Sequence, residues 1–391
     1  MALIQAFGFF CGHGSGNYLS RKLGAGEAKE AEEAAATGFA LSIIIGIVFM
    51  VVGQMFLTPV SYLLGAKAEF IKDTQLYMRI ILCGAPFMMA QFVLNNQLRF
   101  QGAAVYAMAG LVSGAVLNIG LDPLFMFTFK MGVAGAAAAT VCAQIVSFFV
   151  LYIGSRRGEN VRILARNVRL NAHYIGEIIN GGLPSLFRQG LMSISTIALN
   201  RMAGIYGGAA AIAGMSIVTR VYMLAFSALI GFGQGFQPLC SFNYGAKLYG
   251  RVKEGFWFCV KYGTIFLLLL TGVGFFFAPQ IIHFFREDEA VVEVGAVALR
   301  YQALTLPLGA FLTMANMLAQ SIGKGVRASI LASARTGIFF LPLIFVLPRM
   351  YGLYGVEITQ ACADVCAFFL SVPIAYSVLK PMQEEKETAA S

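Results

Sequence analysis

The sequence predicts an all-α polytopic membrane protein made of two pseudo-symmetric helical bundles, with 6+6 helices expected and about 11 present. Three observations predict it. Hydrophobic residues make up 58% of the chain and charged residues 12%, against roughly 25% charged in a soluble domain. Such a chain cannot cover itself with polar surface in water. Apolar stretches recur along its whole length, and a helix needs about 20 such residues to cross the hydrocarbon core. The chain also resembles itself. Gly12-His13-Gly14 and Gly24-Ala25 return as Gly233-Gln234-Gly235 and Gly245-Ala246, and Gly132, Gly135 and Cys142 return as Gly352, Gly355 and Cys362. Two similar lobes at a spacing of about 220 residues are the usual chassis of a secondary carrier.

The spans follow in order, each bounded by a charged or turn-forming connection. Span 2–20 opens directly at Met1, with no basic leader, and ends at Arg21, Lys22 and Lys29. Span 37–62 is closed by Lys67 and Lys72, span 75–98 by Arg99, and span 104–127 by Lys130. Span 132–154 runs into the one long polar segment, which carries Arg156, Arg157, Arg162, Arg166 and Arg169 and falls between the two copies. Spans 180–203 and 208–236 follow, then Lys247, Arg251 and Lys253. Span 256–282 is closed by Arg286, span 292–320 by Lys324 and Arg327, span 328–349 by Arg349, and span 354–379 by Lys380 and Lys386. The expected organisation is an N-terminal lobe at 1–155, a linker at 156–179, a C-terminal lobe at 180–380 and a tail at 381–391.

Alternate connections are about three times richer in Lys and Arg than the others, so that set faces the cytoplasm. The linker and the C-terminus are then cytoplasmic. Eleven spans would place Met1 outside, and the first copy has five spans where the second has six. Both facts lead to the expectation that the first helix of the first lobe is missing. The formal charge of +9 is spread between spans and not gathered on one polar face, which speaks against nucleic acid. Most of the seven cysteines lie within apolar spans and none forms a CxxC pair. They read as buried small hydrophobes. Many of the 43 glycines also lie within spans, where small residues let helices approach closely.

Several stretches resemble a known family. SGNYLSRKLGAGEAKEAEEA is similar to the end of the second helix and the following loop of the multidrug and toxic compound extrusion (MATE) antiporters. NIGLDPLFMF and GVAGAAAATVCAQ resemble their fifth and sixth helices. GGLPSLFRQGLMS and GFGQGFQPLCSFNYGAKLYGRVKEG resemble the seventh helix and the end of the eighth. The resemblance runs from the family's second helix to its twelfth. It implies a twelve-helix, two-lobe exporter of organic, often cationic, compounds in exchange for H⁺ or Na⁺.

Ionisable groups at membrane depth are costly and mark candidate sites. Asn118 and Asp122 are four residues apart and share one helix face. Asp122 lies roughly 10 Å and Thr140 roughly 15 Å below the loop around Lys130, at 1.5 Å per residue. The three can meet between adjacent antiparallel helices as an oxygen site for H⁺ or Na⁺. The bland alternative is that Asp122 brackets the break at Pro123 while Thr140 bonds to its own helix. The resemblance implies the site, because one MATE branch carries its N-lobe cation on an Asn and an Asp four apart in the fifth helix, a Thr in the sixth and an Asp in the first helix. Shifted by 220, these positions become Ile338, Pro342 and Gln360, so a site of this type belongs to the first lobe alone. Asp364 lies mid-span, opposite the neutral Gln144 of the other copy. It reads as a proton or substrate site, or as an ion-pair partner of Arg188 or Arg220, also mid-span. His13 reads as a proton relay or as a hydrogen-bonded structural residue.

The leading expectation is therefore a multidrug antiporter of the cell (inner) membrane, monomeric, taking small organic substrates and lipid as its partners. No cofactor is expected beyond the coupling ion, no structural metal, and no enzymatic activity. The alternatives are a flippase of lipid-linked oligosaccharide or polysaccharide from the same superfamily, or an inactive truncated fragment.

Overall fold

The computed structural model describes residues 1–63, 70–158 and 160–382. Lys67 and Lys386, used above for topology, lie outside these residues. The chain divides into two compact units, Met1–Leu186 and Phe187–Ser391.

Unit 1 holds α1 (Ala2–Gly24), α2 (Ala28–Met55), the short α3 (Leu57–Leu63), α4 (Ile71–Phe100), α5 (Ala104–Pro123) and α6 (Gly132–Ser155). Helix α4 is the hub, packed against α1, α2, α5 and α6. Lipid is as apolar as a neighbouring helix, so apolar faces alone do not select this arrangement. Polar side chains stitch it. Gln91 Nε2 donates to Ser147 Oγ at 3.1 Å, whose hydroxyl donates on to the Gly110 carbonyl at 2.6 Å. Gln97 Nε2 donates to Ser15 Oγ at 3.0 Å and to the Ala35 carbonyl at 2.9 Å. Each such bond contributes about 0.6–2 kcal/mol. The first turns of α7 (Ala172–Gly245) dock on α1 so closely that a Cβ at Gly14 would overlap the Ile178 carbonyl oxygen.

The segment before α7 and the first turns of α7 are tied to the start of α2 and the end of α1 by polar contacts. Asn167 Nδ2 donates to Glu32 at 2.9 Å, the Tyr174 hydroxyl to Glu33 at 2.6 Å, and Arg21 pairs with Glu177 at 2.8 Å. Lys22 bridges Glu27 and Glu30 at 2.7 and 2.9 Å. Partial burial pulls the Lys22 ammonium down, but the hydrogen bonds from these two carboxylates outweigh it and hold the pKa above the usual lysine value.

Unit 2 begins inside α7, which breaks at Gly208 (φ 64°, ψ −153°), a backbone conformation open to glycine. It continues through α8 (Tyr249–Phe276), α9 (Ala278–Phe285), α10 (Glu289–Thr305), α11 (Leu308–Ser321), α12 (Gly325–Ser333), α13 (Phe340–Tyr351) and α14 (Leu353–Leu379). Helices α10 and α11 meet at a bend of 56°. Pro307 lies in the bend, where a proline removes a ladder donor and clashes with the preceding turn. A π-turn, Ala334–Ile338, joins α12 to α13.

Among the described residues, eight helices are long and apolar enough to cross a membrane, or nine with the bent pair counted as one. The Gly208 break divides α7 into two stretches, and α1 is a further helix of 23 residues. Helix α1 is less apolar because His13, Ser15, Asn17 and Ser20 are buried within its bundle and need not match lipid. The lipid-compatible face lies elsewhere, as at Ile119 and Leu224, which are 74% and 78% exposed.

The repeat is visible in the backbone of each unit. Left-handed turns at Gly26, Gly102 and Gly132 recur at Lys247, Gly323 and Gly352. Asn95 Nδ2 donates to the Ala107 carbonyl at 2.9 Å in unit 1, and Asn316 Nδ2 donates to the Ala328 carbonyl at 2.6 Å in unit 2.

Candidate functional site

Each unit places a polar centre within its spans. In unit 1 the centre lies near the end of α5. Asn118 Nδ2 donates to Asp122 Oδ1 at 3.3 Å, and both side chains are half-buried. Pro123 follows, and the chain passes into a π-turn, Leu124–Thr128. The proline ring cannot donate to the helical ladder, so the backbone is re-registered next to the carboxylate. Thr140 does not join the pair. Its hydroxyl donates to the Ala136 carbonyl of its own helix at 2.9 Å, the local acceptor a helical Thr reaches without any partner helix.

His13 is 1% exposed. Its Nδ1 lies 3.2 Å from the Phe9 carbonyl and its Nε2 3.4 Å from Arg99 Nη2, while the same Nη2 donates to Asn96 Oδ1 at 2.5 Å. A neutral ring with hydrogen on Nδ1 satisfies both contacts, donating to Phe9 and accepting from Arg99.

In unit 2, Asp364 on α14 is 4% exposed. It forms a mid-span ion pair, but not with Arg188 or Arg220. Its partner is Arg335, whose Nε donates to Oδ1 at 2.7 Å. Gln360 Nε2 donates to the same oxygen at 2.8 Å, and Thr305 Oγ1 donates to Oδ2 at 3.3 Å. Arg188 is half-buried and Arg220 is exposed. Arg335 sits on the π-turn between α12 and α13, and α14 packs against that turn. The signal was present in the sequence, since Arg335 lies mid-span in 328–349 as Asp364 does in the next span. What the sequence lacked was the π-turn, which changes the facing of every residue after it. Glu357, 6% exposed in the same helix as Asp364, is a second buried acid absent from the sequence candidates.

A two-unit bundle of membrane-spanning helices with buried charge at mid-span is now defined, and the comparisons with known proteins place it. The family model MatE matches residues 1–124 and 184–346. The chain belongs to the MatE family. Multidrug export protein MepA of Staphylococcus aureus (strain NCTC 8325 / PS 47) is 27% identical over 381 residues, spanning 96% of this chain and 83% of MepA. A crystal structure of MATE in the bent conformation superposes with a TM-score of 0.92 at 26% identity, covering 100% of this chain and 86% of that one. An outward-facing multidrug resistance MATE family transporter of the MOP superfamily gives a TM-score of 0.91 at 27% identity, covering 98% and 86%. Family membership makes the chain a multi-pass membrane transporter and not an enzyme.

Proposed function

We propose that this chain exports organic compounds, often cationic, in exchange for H⁺ or Na⁺, and that Asn118 and Asp122 hold the coupling ion. One observation carries the reading. A carboxylate at membrane depth is costly, and Asp122 has one described hydrogen-bond partner, a neutral amide. Its remaining lone pairs are open to a proton or a small cation. The likeness to a multidrug export protein and to a multidrug resistance transporter supports the substrate class. Thr140 supplies a further oxygen when its hydroxyl turns away from Ala136. Ion binding at Asp122 biases the N-terminal lobe, residues 1–155, between two conformations. The linker 156–179 carries this to the C-terminal lobe, residues 180–380, in a rocking cycle. The protein acts as a monomer in the cell membrane with its tail in the cytoplasm.

The test is transport in proteoliposomes loaded with a fluorescent organic cation, under an imposed pH or Na⁺ gradient. Wild type is expected to move the dye only with a gradient. Asp122→Asn is expected to lose about tenfold or more of the gradient-driven rate, the effect of removing one essential ion ligand. Undiminished gradient-driven export by Asp122→Asn would remove Asp122 from the mechanism.

A further inference from the structure

Arg335 carries more donors than the protein satisfies. Its Nε is taken by Asp364 at 2.7 Å, and among the described residues this is the one hydrogen bond Arg335 makes. The Nη1 and Nη2 edge, with four N–H groups, has no acceptor among the described residues. The guanidinium carbon lies 4.4 Å from the Tyr222 ring centre and 4.3 Å from that of Phe226. These rings stack on one another at 5.5 Å and 21°, so both lie against the guanidinium. The Tyr222 hydroxyl is buried without a hydrogen-bond partner. Arg335 itself is not sealed, its side chain being 13% exposed against 4% for Asp364.

These features fit one ligand chemistry. A guanidinium fork matches two oxygens of a carboxylate or phosphate. The buried phenol is a further donor beside it. The rings fix the plane of the fork and favour its charge. Asp364, itself held by Gln360 and Thr305, fixes the other edge and balances the charge.

We propose that Arg335 and Tyr222 form an oxyanion subsite in unit 2, with Asp364 as the residue that positions Arg335. The oxyanion is the carboxylate of a zwitterionic substrate or the phosphate of a lipid headgroup. The substrate arm deepens the export reading and rests on it, while oxyanion binding itself does not.

The experiment measures equilibrium binding to the purified full chain in a phosphate-free maltoside detergent. The probes are a rhodamine with a free carboxylate and its methyl ester, which differ only in the oxyanion. Wild type is expected to bind the acid about tenfold tighter than the ester, the scale of one hydrogen-bonded charged group. Tyr222→Phe is expected to cut this preference about threefold, the scale of one neutral hydrogen bond. Arg335→Gln with Asp364→Asn, which removes both charges together, is expected to abolish the preference for the acid over the ester. Displacement of the acid by short-chain phosphatidic acid, lost in the double variant, would assign the subsite to lipid phosphate. No displacement alongside a retained acid preference would assign it to substrate carboxylate. The proposal is overturned if wild type shows neither acid preference nor phosphatidic acid binding, or if the preference survives in both variants. Acid preference without gradient-driven transport would instead count against the export reading alone.

Discussion

Asp122, near the end of α5, and Asp364, in the middle of α14, are both acids within apolar helices, yet their surroundings assign them opposite energetics. Asp364 accepts from Arg335, Gln360 and Thr305 and is 4% exposed. Removing one member of such a pair strands a buried charge at a cost of about 3–5 kcal/mol, whereas replacing both with apolar groups is often neutral. Arg335→Ala is therefore expected to lower the thermal stability of the detergent-purified protein sharply, and Arg335→Met with Asp364→Leu to restore most of it. Asp122 has a single 3.3 Å bond from Asn118 and is half-buried. Asp122→Asn should change stability by no more than about 0.5 kcal/mol while export is lost. Equal destabilisation by Asp122→Asn and Arg335→Ala would show that both acids are structural. The pair Asn118–Asp122 was legible in the sequence because an i, i+4 spacing places two side chains on one helix face whatever surrounds them. The Asp364 partner was not, because an ion pair between helices depends on the rotation of each about its axis.

Among the elements, α4 and its equivalent α11 show how a membrane bundle is specified by a few polar contacts. Asn95→Ala in unit 1 and Asn316→Ala in unit 2 each remove one buried donor to an inter-helix carbonyl. Each is expected to cost about 0.6–2 kcal/mol, read as a similar drop in melting temperature. A large loss from one and none from the other would show that the repeat is not energetic. At the α1–α7 contact the constraint is steric. Gly14→Leu would drive a side chain into the Ile178 backbone, with a cost of about 1–3 kcal/mol or more for overpacking and reduced yield of folded protein. The helices were readable from apolar length because the bilayer sets that length. Their interruptions were less so. The break at Gly208, the bend at Pro307 and the π-turns beside Asp122 and at Arg335 shift side-chain facing without altering composition. At Thr140 the hydroxyl is spent on its own helix.

For the molecule as a whole, the repeat and the distribution of charge make separate demands. The alternation of Lys and Arg between connections sets the expected topology, so a reporter active only in the cytoplasm is expected to be active when fused after Met382. Activity of an externally acting reporter at that point would reverse the assignment. The two units share turns and hub contacts, but not their polar centres. Shifting by 220 residues carries Asp122 to Pro342, Asp364 to Gln144 and Arg335 to Ala115. By itself the sequence determined the membrane class, the succession of apolar helices, the two-fold repeat and the residues able to carry charge within them. Those properties follow from composition, from length and from spacing along one helix. Only the tertiary structure decided which of those charged and polar groups meet. Pairing across helices depends on axial rotation, on π-turns and on bends, and these are fixed by packing against neighbours far away in the chain.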